Sequence, residues 1–147
     1  MAENSAILGA GMKFPPQVDP ATGRFVVASG ETSVKESIYI ILMTQKTERR
    51  PRPAFGASLM SFTFMDTDAT LLSIMGRNLA ADIAAAEPRV TNLNVDISPD
   101  VKKNCLIVNI SYTVIQTNVR DNLVFPFYLD TTVEEEEEDE YAEPQEV

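Results

Sequence analysis

The chain has no histidine, no tryptophan and a single cysteine in its 147 residues. Without histidine the familiar Ser-His and Cys-His nucleophile pairs cannot form, and one cysteine alone cannot supply the usual Cys/His zinc sites. No metal or cofactor is therefore expected. Cys105 itself sits in an apolar alternating run, where a buried thiol acts as a small hydrophobe rather than a nucleophile. Long apolar runs are missing too, since none approaches the roughly 20 residues of a membrane span. The start, Met1 to Gly11, has no basic segment ahead of its few apolar residues, so it does not read as a secretory signal. A soluble chain, made and assembled in the cytoplasm and without a membrane partner, is expected. Basic residues are scarce, with 12 Lys and Arg against 22 Asp and Glu, giving a net charge of -10. Nucleic acid is an unsuitable partner, because affinity for it comes from Lys and Arg displacing counterions.

What is present suits one globular domain: 44% of residues are hydrophobic and 23% charged. Nine of the 22 acidic residues lie in Glu134–Glu138, Asp139, Glu140, Glu143 and Glu146. Without them the charge is about -1. The expected division is an extended N-terminal arm over 1–22, an α+β domain over 23–130 and an acidic tail over 131–147. The tail reads as a solubilising segment or as a binding element for a basic neighbour.

A short strand is expected over Arg24–Ala28. Ser29 to Ser33 then offer capping oxygens, and Val34, Ile38, Ile41 and Leu42 recur at helical spacing, predicting a helix that ends near Thr44. Two prolines, three arginines and a glycine between Gln45 and Ser58 predict a loop. Leu59–Met65 fits either a helical turn or a strand. Asp66, Thr67 and Asp68 start a second, longer helix through Leu72, Met75, Leu79 and Ile83, which must stop before Pro88. Three alternating runs follow, with turns expected at Ser98–Asn104 and Thr117–Asn122. They predict an antiparallel meander which, with the short N-terminal strand, packs against the two helices. Pro126 removes a donor from the last strand and places it at a sheet edge, where a partner strand can add.

Two motifs stand out. Glu87-Pro88-Arg89 sets an acid and a base on a rigid helix-to-strand corner, within reach of one neighbour. The segment from Glu48, Arg49 and Arg50 through Arg52 to Phe55 and Gly56 is a basic, proline-stiffened loop suited to carboxylate-bearing partners, the acidic tail in cis included. Either motif could also be an ordinary solvated surface.

The order of these pieces carries a resemblance. Phe14-Pro15, the Ser/Glu-rich capped helix, Thr44, Glu48-Arg49, Pro53-Ala54-Phe55-Gly56, Glu87-Pro88-Arg89, Tyr112, Asn118 and Asn122 to Phe127 follow one another as in the gp25-like baseplate wedge family. That family occurs in contractile phage tails and related injection systems, and the match runs from Lys13 to Leu129. The resemblance implies a structural subunit of a symmetric, multi-subunit particle. Glu87, Pro88 and Arg89 would pin larger wedge proteins, with tube or hub proteins nearby. The sheet, through strands bearing Val108, Ile110, Tyr112, Phe125 and Phe127, would start sheath assembly by strand exchange. An assembly role for the corner predicts that Arg89→Ala leaves the monomer folded. The chain departs from the family at Thr47, where a glycine is usual, at Ala54, where an acid is usual, and in its acidic tail.

Two other functional classes fit parts of the sequence. A lysozyme-like glycosidase needs only two carboxylates at a set distance, and Glu48, Asp66, Asp68 and Glu87 could be nominated. No tryptophan is present to line a sugar cleft, and no pair is marked by a raised pKa. An acidic adaptor or assembly chaperone would act through the tail instead.

Overall fold

Backbone punctuation sets the element boundaries. In the computed structural model, which describes residues 6–59 and 68–128, strand β1 (Ala10–Met12) pairs antiparallel with β2 (Val27–Ser29), and helix α1 (Gly30–Met43) follows at once. Ser29 is the extended N-cap, though its hydroxyl makes no capping bond, and Glu31 stands in the first turn, where the helix dipole favours an acid. The helix ends where the Thr44 amide and hydroxyl both turn back to the Ile40 carbonyl, at 3.0 and 2.7 Å. Helix α2 (Ala69–Ala86) starts after Asp68 and stops at Glu87, one residue before the proline. Strands β3 (Val90–Asp100), β4 (Cys105–Val114) and β5 (Val119–Tyr128) form the meander in the order β3-β4-β5.

The helical stripes and the alternating strand faces meet in one core. Val34, Ile38, Ile41 and Leu42 of α1 and Met75, Leu79 and Ile83 of α2 are buried against Leu106, Val108, Ile110, Tyr112 and Val114 of β4. Burying such aliphatic side chains is worth about 1.5–3 kcal/mol each. Helix α2 lies directly on β3, so close that a Cβ at Gly76 would stand 2.7 Å from the Val95 carbonyl oxygen. Glycine at that position is a packing requirement.

The architecture is α+β, with helices on one face of an antiparallel meander. The short N-terminal strand is shorter and later than Arg24–Ala28, and it pairs with β1 in a separate two-stranded sheet rather than joining the meander. Arg24 and Phe25 fall outside it because Phe25 makes only an isolated bridge to Val18. The N-terminal segment also does more than lie over a surface, since Leu8 is buried in the core. Both meander turns are tighter than the polar runs suggested, spanning 101–104 and 115–118. Asn104 (φ 49°) and Asn118 (φ 54°) take left-handed conformations that close the hairpins, so pairing extends through residues that read as turn formers. Pro126 lies in β5, an edge strand, as its missing donor requires. The undecided segment 59–65 falls almost wholly outside the described residues.

Thr47 has φ 75°, a left-handed conformation that a β-branched residue adopts at a cost. Glycine removes that steric cost. Thr47→Gly is expected to raise unfolding stability by about 1 kcal/mol, measured by urea denaturation. An unchanged or lower midpoint would show that the loop is not strained there.

Candidate docking site

Five parts of the chain converge on the corner between α2 and β3. Helix α2 ends at Ala86, the Glu87 amide closing its last turn on the Ile83 carbonyl at 2.8 Å, and Pro88 forces the backbone out into β3. The Glu87 carboxylate turns inward and is only 2% exposed. Arg89 meets it with two parallel bonds, Nε to Oε1 and Nη2 to Oε2, each 2.6 Å, and the Arg89 amide donates to Oε1 at 3.2 Å. The other guanidinium nitrogen, Nη1, donates to the Leu8 carbonyl at 2.9 Å and reaches the Ser33 hydroxyl of α1 at 3.5 Å. From the meander side, the Ile115 amide donates to the Arg89 carbonyl at 2.9 Å. One bidentate pair thus ties the N-terminal segment, α1, α2, β3 and the β4–β5 turn together.

The electrostatics agree with that geometry. Burial alone pushes the Glu87 carboxyl upward, but hydrogen bonds from Arg89 and Ser37, with the Arg89 charge, outweigh it and hold the pKa below its ordinary 4.5. The hydrogen bond to Glu87 raises Arg89 further, against the opposing effect of burial. Because the folded-state pKa of Glu87 is depressed, its contribution to stability is present above pH 4.5 and is lost as the pH falls through the folded value. Unfolding midpoints are expected to drop below that pH, and Glu87→Gln should flatten the drop. An equal slope in wild type and variant would contradict the linkage.

Sequence reasoning placed Glu87 and Arg89 on a corner facing a neighbour. The structure joins them to each other instead, because a carboxylate buried beside a guanidinium is far more stable paired than open. What the corner leaves accessible is the exposed Pro88 ring and the outer edge of Arg89, whose side chain is 23% exposed.

The basic loop is pinned by its own backbone. Gln45 bridges Ala57 in parallel, the Ala57 amide donates to the Thr44 carbonyl at 2.9 Å, and the Thr47 amide donates to the Pro53 carbonyl at 2.8 Å. Gly56 is buried at φ 115°, where a Cβ would run into the Thr44 carbonyl. Phe55 packs partly into the core with the Arg49 guanidinium 5.1 Å from its ring centre, and Arg49, Arg50 and Arg52 are exposed. Glu48 is exposed, one of its oxygens accepting the Gln45 amide at 3.0 Å. Lys46 pairs with Asp82 of α2.

The residues expected to face a sheath strand divide differently. Val108, Ile110, Tyr112 and Phe125 are buried beneath the helices, and Phe127 packs partly against the same core. Strand β4, which carries three of them, is paired on both sides. Their alternation reports the core face, so their side chains are not available to a partner. Within the meander, backbone pairing remains open at the edge strands, β3 and β5. Tyr112 also donates to Asp121 at 3.2 Å, and burial with that neighbouring negative charge pushes its phenol pKa up.

Contacts that sequence reasoning missed are those from Arg89 to Leu8 and Ser33, across 81 and 56 residues. Backbone carbonyls and lone serines carry no pattern that would reveal them. A groove lined by Phe14, Tyr39, Met43 and Leu123 was missed for the same reason.

The model of a protein family described as baseplate wedge protein gp25 matches residues 28–119, more than half of the chain and all of the loop and the corner. The chain belongs to that family. Baseplate wedge protein gp25 of Enterobacteria phage T4 is 31% identical over 86 residues, 58% of this chain and 65% of the T4 protein, so the aligned part spans just under two thirds of that relative. Among solved structures, a Geobacter sulfurreducens protein bearing a tail-lysozyme name is 36% identical, with a TM-score of 0.67 over 74% of this chain and 99% of that one. A chain of the six-fold symmetrised anti-feeding prophage baseplate is similar in fold, with a TM-score of 0.63 over 89% of this chain and 94% of its own, at 23% identity.

Proposed function

We propose that the chain is a structural subunit of the baseplate wedge of a contractile phage tail or injection machine, held in a symmetric multi-subunit assembly, and that it is not an enzyme. The observation that carries this reading is the family match over residues 28–119, which contains the stiff arginine loop and the corner built on Glu87 and Arg89. Larger wedge proteins dock against Pro88, the outer edge of Arg89 and the loop from Arg49 to Phe55. Little entropy is lost when surfaces this rigid bind, and the exposed arginine forks select carboxylates. Strand β5, or β3 on the other edge, offers backbone donors and acceptors to a sheath strand.

The tail-lysozyme name of the Geobacter protein favours one other reading, a glycosidase. That chemistry needs a carboxylic acid with a raised pKa. Glu87 departs in the opposite direction and is locked to Arg89, while Glu48 is spent on its own loop. Asp66 lies outside the described residues, and Asp68 sits exposed at the start of α2.

Co-expression with candidate large wedge proteins from the same locus, followed by size exclusion, tests the proposal. Stable co-elution with no release of peptidoglycan fragments is expected. Peptidoglycan cleavage that a single carboxylate substitution abolishes would replace the structural reading with the enzymatic one.

A further inference from the structure

We infer that the acidic C-terminal tail docks in cis on the arginine loop, with Glu134–Glu138 and their acidic neighbours occupying Arg49, Arg50 and Arg52. Among the described residues, Lys13, Lys35, Lys46 and Arg89 each pair with a carboxylate. The three loop arginines are exposed and have none there, since Arg49 lies against Phe55 and the nearby Glu48 is turned to the Gln45 amide. They are thus a dense block of cationic forks without an anion among the described residues, in a chain whose excess of acid lies almost wholly in the tail.

The fold brings the two segments out at the same end. Helix α1 and strand β5 run in the same direction, because Lys35 pairs with Asp121 at 3.5 Å and, farther along both, Tyr39 packs edge-on to Phe125 with centroids 5.5 Å apart. The loop leaves the end of α1 at Thr44, and the tail follows the end of β5 at Tyr128. Five helical residues beyond Tyr39 and three strand residues beyond Phe125 amount to about 8 and 10 Å, so the two exits lie close together. Glu134 and Glu140 follow Tyr128 by six and twelve residues, an extended reach of about 20 and 40 Å. For comparison, a domain of this size has a radius of gyration of about 15 Å.

The loop suits this ligand because its backbone is already fixed and each exposed guanidinium can take a carboxylate with two bonds. The main competitor is the β3–β4 turn, where Lys102 and Lys103 lie near the root of the tail. Their backbone amides are held by Asp100, and an ammonium is a point charge without the fork. A tethered acidic segment stands at high effective concentration, so it would screen the loop from weak acidic partners and yield to a strong one. The contact itself does not depend on the baseplate reading.

The test uses the full chain, with the arginine and lysine side-chain NMR signals as the readout. Changing Glu134–Glu138 to Gln is expected to shift the Nε–H signals of Arg49, Arg50 and Arg52. High salt should shift the wild-type signals toward the same positions. A hexaglutamate peptide should bind the tail-neutralised chain several-fold more tightly than wild type, and Arg49→Ser/Arg50→Ser/Arg52→Ser should abolish that gain. Loop signals indifferent to tail charge, a response confined to Lys102 and Lys103, or a shift that disappears on dilution and so reports contact between copies, would each overturn the inference.

Discussion

Replacing Arg89 with alanine is expected to destabilise the monomer by about 3–5 kcal/mol, because it strands the buried Glu87 carboxylate without its partner. For a chain of this length that is a fall in Tm of roughly 10 °C. The Leu8 carbonyl loses a donor at the same time, so protease cleavage near the N-terminal segment should become faster. The variant Glu87→Gln/Arg89→Met removes both charges and should recover most of the lost stability, since an uncharged pair leaves no buried ion. Thermal unfolding of the wild type, Arg89→Ala and the double variant decides the matter. A fully stable Arg89→Ala protein would return the corner to a purely external role. Rescue by the double variant has a further use, because a folded chain lacking both charges can be tested for assembly separately from stability.

Ile110→Ala is expected to cost about 2–5 kcal/mol, the range for truncating a fully buried aliphatic side chain into a cavity. Ile110 has no exposed surface and sits in the centre of β4 beneath both helices. Val124 of β5, 54% exposed on the other face of the sheet, provides the contrast: Val124→Ala should change stability by less than about 0.5 kcal/mol. Urea denaturation of the two variants distinguishes a core role from a partner contact at the Ile110 position. A stable Ile110→Ala monomer would mean that this face is an interface rather than a core.

Much of the fold was legible because periodicity is a local signal. The 3.6-residue stripe through Val34, Ile38 and Leu42 and the alternation from Leu106 to Val114 report which face is buried whatever covers it. Pro88 and Pro126 likewise act through their own rings, so the helix stop and the edge strand could be read without a structure. Alternation does not say what lies against the buried face, and this is why Val108, Ile110 and Tyr112 could be assigned to a sheath contact when they form the core. The hairpin turns were misjudged because Asn104 and Asn118 reverse the chain within four residues through left-handed backbone, a choice that composition does not fix. At the corner, the identities of Glu87 and Arg89 were plain, but the direction of their side chains was not. Burial of the carboxylate depends on α1 and the N-terminal segment, which are distant in sequence.

The measurement that bears most directly on the baseplate assignment is immunogold labelling of contractile particles purified from cells that encode the chain, using an epitope-tagged copy. Label at one end of the particle, beside the last sheath ring and absent from the sheath wall, is the predicted result. Intact particles without the chain, or label spread along the sheath or tube, would contradict it.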